Sequence, residues 1–247
     1  MIVLRGVLVL VLVAVLASAV PAAPNLLAPA NGDADLRRAF SAFIKAKELR
    51  FDAVPDLYPG GYARISIYAK RADLGGMIVD EAWFRLVGAS LDPEAMRRGE
   101  LRLLDLRDSA MHVRVSIKSL QEYFQQGNDM KDIELWSDGQ YLFGQGTVPV
   151  AGLPMKVYLK GSFVVGGTKD VRFHITDLRL NGLPIFSPLV HRWEQQINPV
   201  FTQALWPITF NIRGLRMTRE GFLVSSQDDP SAPCPFCSVG DASPAGP

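Results

Sequence analysis

The chain has 247 residues, 48% of them hydrophobic, which is enough to bury a substantial core in one or two domains. Its 26 Lys and Arg stand against 25 Asp and Glu, a formal net charge of +1. No basic excess exists to hold a phosphate backbone, so nucleic acid is not an expected partner and contacts are to be sought through apolar surface.

The opening stretch, MIVLRGVLVLVLVAVLASAVPAAPN, reads as a signal peptide over residues 1–22. Arg5 precedes an apolar run from Gly6 to Leu16, and small residues follow at Ala17–Ala19 and Val20–Ala22. The run is about half the roughly 20 residues that a spanning helix needs, and Pro21 stops it. A retained anchor is the alternative. The mature chain is expected outside the cytoplasm, in a periplasm, a cell envelope or secreted, with cations and anions equal once Arg5 is removed.

Residues 23–34 have linker composition. The next segment, DADLRRAFSAFIKAKEL, sets Leu36, Phe40, Phe43 and Ile44 at helical spacing, with Asp33 or Asp35 placed to cap it. From Arg50 the period changes to two. GYARISIYAKRADLGG, MIVDEAWFRLVGASLD and GELRLLDLRDSAMHVRVSI alternate as strands, broken at Gly75-Gly76, Gly88 and Arg98-Gly99. SLQEYFQQG reads as a short helix, with Ser119 as N-cap and Gly127 as its stop.

The second half repeats this grammar, with a hairpin signal at Asp138-Gly139 and turns at Gly152, Gly166-Gly167 and Asn181-Gly182. SPLVHRWEQQINPVFTQALWP then forms an amphipathic helix. Ser187 would cap it, Pro188 fits its first turn, and Pro199 kinks or restarts it after Asn198. Leu189, Trp193, Ile197, Val200, Phe201, Ala204 and Leu205 share one face, and Arg192, Gln195, Gln196, Thr202 and Gln203 fall away from it. Two short strands follow, ITFNIRGLRM and GFLVSSQ. The expected fold class is α+β: a strongly curved, rolled antiparallel sheet of about eight to ten strands, packed on a long kinked C-terminal helix and a shorter N-terminal helix. It would occupy residues 35–226 as a single domain. The apolar face of the late helix would either cover the sheet or leave a groove against it.

Residues 227–247 are dense in Pro, Ser, Gly and Ala and are expected to be disordered. They hold the chain's two cysteines, Cys234 and Cys237, which can form a local disulfide, stay as thiols or supply half a metal site. No second pair exists to complete a zinc site.

Catalytic signals are weak. GASLD at 88–92 lacks the closing glycine of a nucleophile elbow, and GQG at 144–146 is a lone GxG inside a strand run. His112, His174 and His191 lie far apart in sequence. Asp105 and Asp108 offer a carboxylate pair, as do Asp80 and Glu81, but adjacent strand residues point to opposite faces. The chain is therefore read as a non-enzyme, with no cofactor and no metal.

Several segments carry a resemblance: GGYARISIYAKRADLGGMIVDEAWFRLVGASLD, VSIKSLQEYF, GLPMKVYLKGSFVVGG, LRLNGLPIFSPLV and PITFNIRGLRMTREGFLVSS. In this order the chain resembles the LmeA-like family of extracytoplasmic phospholipid-binding proteins over roughly residues 35–226. The resemblance implies a fold like one half of the tubular lipid-binding superfamily, which includes bactericidal/permeability-increasing protein, with acyl chains lying between a long helix and a rolled sheet. It brings no catalytic residues with it. The expected function is phospholipid binding for envelope lipid transport or maintenance, with peripheral membrane contact. Groove candidates are Phe40, Phe43, Ile44, Phe186, Leu189, Trp193, Ile197, Phe201 and Leu205, and Lys45 and Arg192 are head-group candidates. The alternatives are an envelope assembly or scaffold protein with a filled core and, third, an envelope enzyme acting on lipid or glycan.

Overall fold

Alternating sequence in both halves of the chain becomes long antiparallel strands. The computed structural model describes residues 32–126, 131–150, 153–204 and 206–240, which pack as one unit. The expected signal peptide, most of the expected linker, Gly127 and Leu205 lie outside the described residues.

The first half runs α1 (Gly32–Phe43), β1 (Lys45–Pro55), β2 (Gly61–Asp73), β3 (Ile78–Leu91), α2 (Pro93–Arg97), β4 (Leu103–Ser116) and α3 (Ile117–Gln126). The second half begins with β5 (Lys131–Ser137), β6 (Leu142–Val150), β7 (Leu153–Gly166), β8 (Asp170–Leu180) and β9 (Leu183–Pro184). It ends with α4 (Ser187–Ile197), β10 (Phe201–Thr202), β11 (Gly214–Met217), β12 (Gly221–Ser225) and a 3-10 turn at Cys237–Gly240.

These strands form two sheets, which overturns the expectation of one rolled sheet. The first has six strands in the order β1-β2-β3-β4-β12-β11, and the second orders β10-β8-β7-β6-β5 with β9 also paired to β8. Strands hold 53% of the described residues and helices 19%, so the fold is mostly β rather than α+β, and neither sheet closes into a barrel. Two-residue periodicity identifies strands but is silent on where one sheet ends and the next begins.

The late helix is the second correction. α4 stops at Ile197 after 11 residues, none of them buried, and Asn198 is its C-cap. Pro199 therefore follows the helix instead of kinking it, and the chain leaves as β10, paired to Val171 and Asp170 of β8. Phe186, not Ser187, holds the N-cap position, without a side-chain cap bond. In α3, Ser116 Oγ accepts from Ser119 N at 3.2 Å, so the cap is Ser116 and Ser119 lies inside the first turn.

The core fills the space between the sheets. Ile67, Phe84 and Met111 stand side by side across β2, β3 and β4 and are all buried, as are the neighbouring Ala69, Ala82 and Val113. The opposite face of the same strands is also covered: Ser66, Tyr68 and His112 are buried there. Its cover is the C-terminal segment. Phe236 is only 6% exposed and lies against the Arg85 guanidinium, 5.1 Å from its ring centroid, between Cys234 and Cys237, which are joined as a disulfide. The expectation of disorder thus does not describe residues 227–240. Low hydrophobic content fails to anticipate a single aromatic anchored by a short covalent loop.

Candidate functional site

Two carboxamides shape the region around the late helix. Asn198 Oδ1 accepts from Phe173 N at 2.6 Å, and its Nδ2 donates to Phe173 O at 2.8 Å, as a neighbouring strand would. Gln203, fully buried, does the same to Phe210: Oε1 accepts from Phe210 N at 2.6 Å and Nε2 donates to Phe210 O at 3.1 Å. Its assignment to the polar face of a helix is therefore wrong, because the helix has ended before it.

Between these clips the chain forms a strap across the inner face of the first sheet. The Trp206 ring meets those of Phe43, Phe201, Phe210 and Phe84 at centroid distances of 5.5, 5.4, 6.2 and 6.2 Å. Ile208, Phe210 and Ile212 are buried beside it. The expected strand ITFNIRGLRM holds only from Gly214, as β11: Ile208, Phe210 and Ile212 keep a strand's alternate burial but lie in the strap, outside any ladder, and the segment before them, FTQALWP, has no strand period.

Next to the strap lies a narrow crevice lined by Met77, Val79, Met111, Val113, Val115, Phe201, Phe222 and Val224. Every lining side chain is apolar, and two are methionines, the most adaptable of core residues. Its volume of about 10 Å³ is no more than a water molecule needs. No acyl chain fits it as it stands, since the protein's own aromatics occupy the space between the sheets.

The groove candidates do not form one wall. Phe40 and Ile44 are buried in the core, and Phe43 reaches Trp206. Phe201 lines the crevice. Trp193 and Ile197 are half-buried on α4, which lies along the edge of β8 instead of across a sheet. Phe186 and Leu189 are exposed, and so are Lys45, at the start of β1 in the first sheet, and Arg192, on α4 beside the second.

The polar clusters have structural partners. Asp80 Oδ2 accepts from Ser116 N and Ser119 Oγ, and Arg71 donates to Ser119 Oγ and Glu122 Oε2, tying β2 and β3 to α3. The hydrogen bond to Glu122 raises the Arg71 pKa above its ordinary value. Glu194 brings two distant histidines together: its carboxylate lies 2.9 Å from His174 Nδ1 and 3.8 Å from His191 Nδ1, while also accepting from Ile175 N. Among the described residues no group of His, Cys, Asp and Glu is arranged to hold a metal ion. His112, its ring tilted 58° against that of Trp83 at a centroid distance of 5.8 Å, is buried with its Nδ1 unpartnered, and burial lowers its pKa. A wider, open depression of about 500 Å³ lies between Gly139, Phe163, Met217 and Pro230, and its ionic groups include Arg216 and Asp229, 3.8 Å apart. It contributes no nucleophile beside a base.

No protein-family model, curated protein or solved structure matches the chain.

Proposed function

We propose that this chain is a non-catalytic, extracytoplasmic phospholipid-binding protein, of the kind the LmeA-like resemblance implies. An acyl chain would enter at the crevice when the strap lifts from the first sheet. The observation that carries the reading is the wholly apolar, methionine-containing lining of the crevice beside a strap that belongs largely to no ladder. Removing acyl methylenes from water is worth about 0.8 kcal/mol each, which can offset displacement of the strap's own side chains. The strap and the sheet would then exchange one apolar partner for another. The test is solvent extraction and mass spectrometry of mature protein made in a lipid-containing host. Bound phospholipid is the expected result, and bare protein that also takes up nothing from vesicles would refute the reading.

A second reading is favoured by the crevice volume of about 10 Å³. In it the filled core is the functional state and the protein is an envelope scaffold. Native mass spectrometry separates the two, since a scaffold carries no lipid at any stage of its purification.

A further inference from the structure

Ten large hydrophobic side chains are markedly exposed among the described residues, and four belong to one end of the second sheet. They are Leu153, Leu183, Phe186 and Leu189, at 68%, 71%, 84% and 41% exposure. Register places the first two at the same end. Val157 of β7 faces Leu180 at the end of β8, and Asn181 exchanges bonds with Lys156, its N donating to Lys156 O at 2.8 Å and its Oδ1 accepting from Lys156 N at 2.9 Å. Leu153 lies four residues beyond Val157 at this end, and the Asn181-Gly182 turn brings the chain back so that Leu183 pairs beside Leu180. The sequence uses one device twice, Gly152-Leu153-Pro154 and Gly182-Leu183-Pro184. A residue before proline is held extended, so these leucines lose little backbone freedom when they insert elsewhere.

The unpaired charge around this end is net positive, with Lys131 and Asp132, two strands from Lys156, offsetting each other. Asp177 is paired with Arg179 at 2.7 Å, and Glu194 is engaged by Ile175 N and His174. Lys156 and Arg192 are exposed and have no ion-pair partner among the described residues. Exposed leucines and a phenylalanine beside unneutralised cations match the interfacial layer of an anionic bilayer, apolar below and phosphate above. A second copy of the chain would be a poorer partner, because two-fold pairing sets Lys156 and Arg192 against like charges.

We infer that this end of the second sheet is a membrane-docking surface: Leu153, Leu183, Phe186 and Leu189 enter the interface of an anionic phospholipid bilayer, and Lys156 and Arg192 meet its phosphates. Docking of this kind is independent of the crevice, and a protein that holds no lipid inside would still show it.

The experiment is co-sedimentation of the chain without residues 1–22 with vesicles of phosphatidylglycerol and phosphatidylcholine, and with phosphatidylcholine alone. Binding is expected to the anionic vesicles and to fall as salt rises. The double variant Leu183→Ser/Phe186→Ser is expected to weaken it about tenfold or more, and Lys156→Gln or Arg192→Gln each about fivefold. Thermal midpoints should stay unchanged, because these side chains are exposed. Leu153→Ser/Leu189→Ser repeats the test if the first pair proves unstable. The inference is overturned if the parent chain does not sediment with anionic vesicles, if the serine variants sediment like the parent, or if sedimentation velocity shows a dimer that they dissolve.

Discussion

Asn198 binds both backbone groups of Phe173, at 2.6 and 2.8 Å, and so stands in for a strand residue on the edge of β8. Four residues earlier, Glu194 accepts from Ile175 N at 2.7 Å, and β9 and β10 pair with the two ends of the same strand. The excursion from β9 through α4 to β10 is therefore an edge cover, which protects β8 from pairing with another chain. Phe173 is fully buried against Gly161, where a Cβ would lie 2.4 Å from its ring. Asn198→Ala should cost about 2 kcal/mol, since it strands a partly buried N–H and C=O together. Denaturant midpoints measure this, and a loss under about 0.5 kcal/mol would show that water replaces the amide freely.

Trp206 is the joint of the aromatic strap, with four rings around it. Trp206→Ala should lower stability by about 2–4 kcal/mol, and Trp206→Phe by less, as expected for a large, half-buried side chain packed against the core. Thermal or urea unfolding checks the order. Equal losses for both would mean that the indole itself, and not the packing it supplies, holds the strap.

His112 gives the fold a pH dependence with a defined sign. Burial lowers its pKa in the folded protein, whereas in the unfolded chain it titrates near 6.5. As pH falls through that value the unfolded chain gains a proton that the folded one refuses. Stability present at neutral pH is then lost on acidification, down to the folded pKa, at up to about 1.4 kcal/mol per pH unit. His112→Phe should flatten the unfolding midpoint between pH 7 and pH 5. A parallel decline in both proteins would assign the effect to other groups.

Phe236 tests the C-terminal cover. Truncation to Ala should cost about 3 kcal/mol and raise hydrogen exchange at Tyr68 and His112, whose side chains lie buried on the covered face of the first sheet. Exchange unchanged in those strands would mean that the segment decorates the sheet without shielding it.

Much of this architecture is readable from residues. The alternation in GYARISIYAKRAD and MIVDEAWFRLVGASLD sets β2 and β3 correctly, and Leu36 and Phe40 give the buried stripe of α1, although Ile44 lies just past its end and the residues expected to continue the helix, from Lys45, are already β1. What failed was context. An apolar stripe from Leu189 to Leu205 has helical period on both sides of Pro199, but period does not say where a helix ends, and Asn198 and Gln203 were needed as strand mimics on either side of β10. The candidate site followed the helix, so its residues divided among the core, the crevice and the exposed end of the second sheet. The strap's later part, Ile208 to Ile212, does alternate and reads as a strand, but its partner there is the Gln203 side chain and not a ladder; the anchoring of Phe236 depended on a face whose burial no local pattern reveals.

The central claim is that the crevice beside the strap admits an acyl chain, and the direct measurement is phospholipid retained by the purified mature chain and by Val113→Phe, which places a ring in the crevice. The expected result is lipid extracted from the parent and little from the filled variant, with Leu183→Ser/Phe186→Ser still retaining whatever it has loaded. Overpacking at Val113 should lower stability by about 1–3 kcal/mol, which leaves folded protein to assay. Lipid absent from the parent, or present equally in parent and Val113→Phe, would contradict the claim.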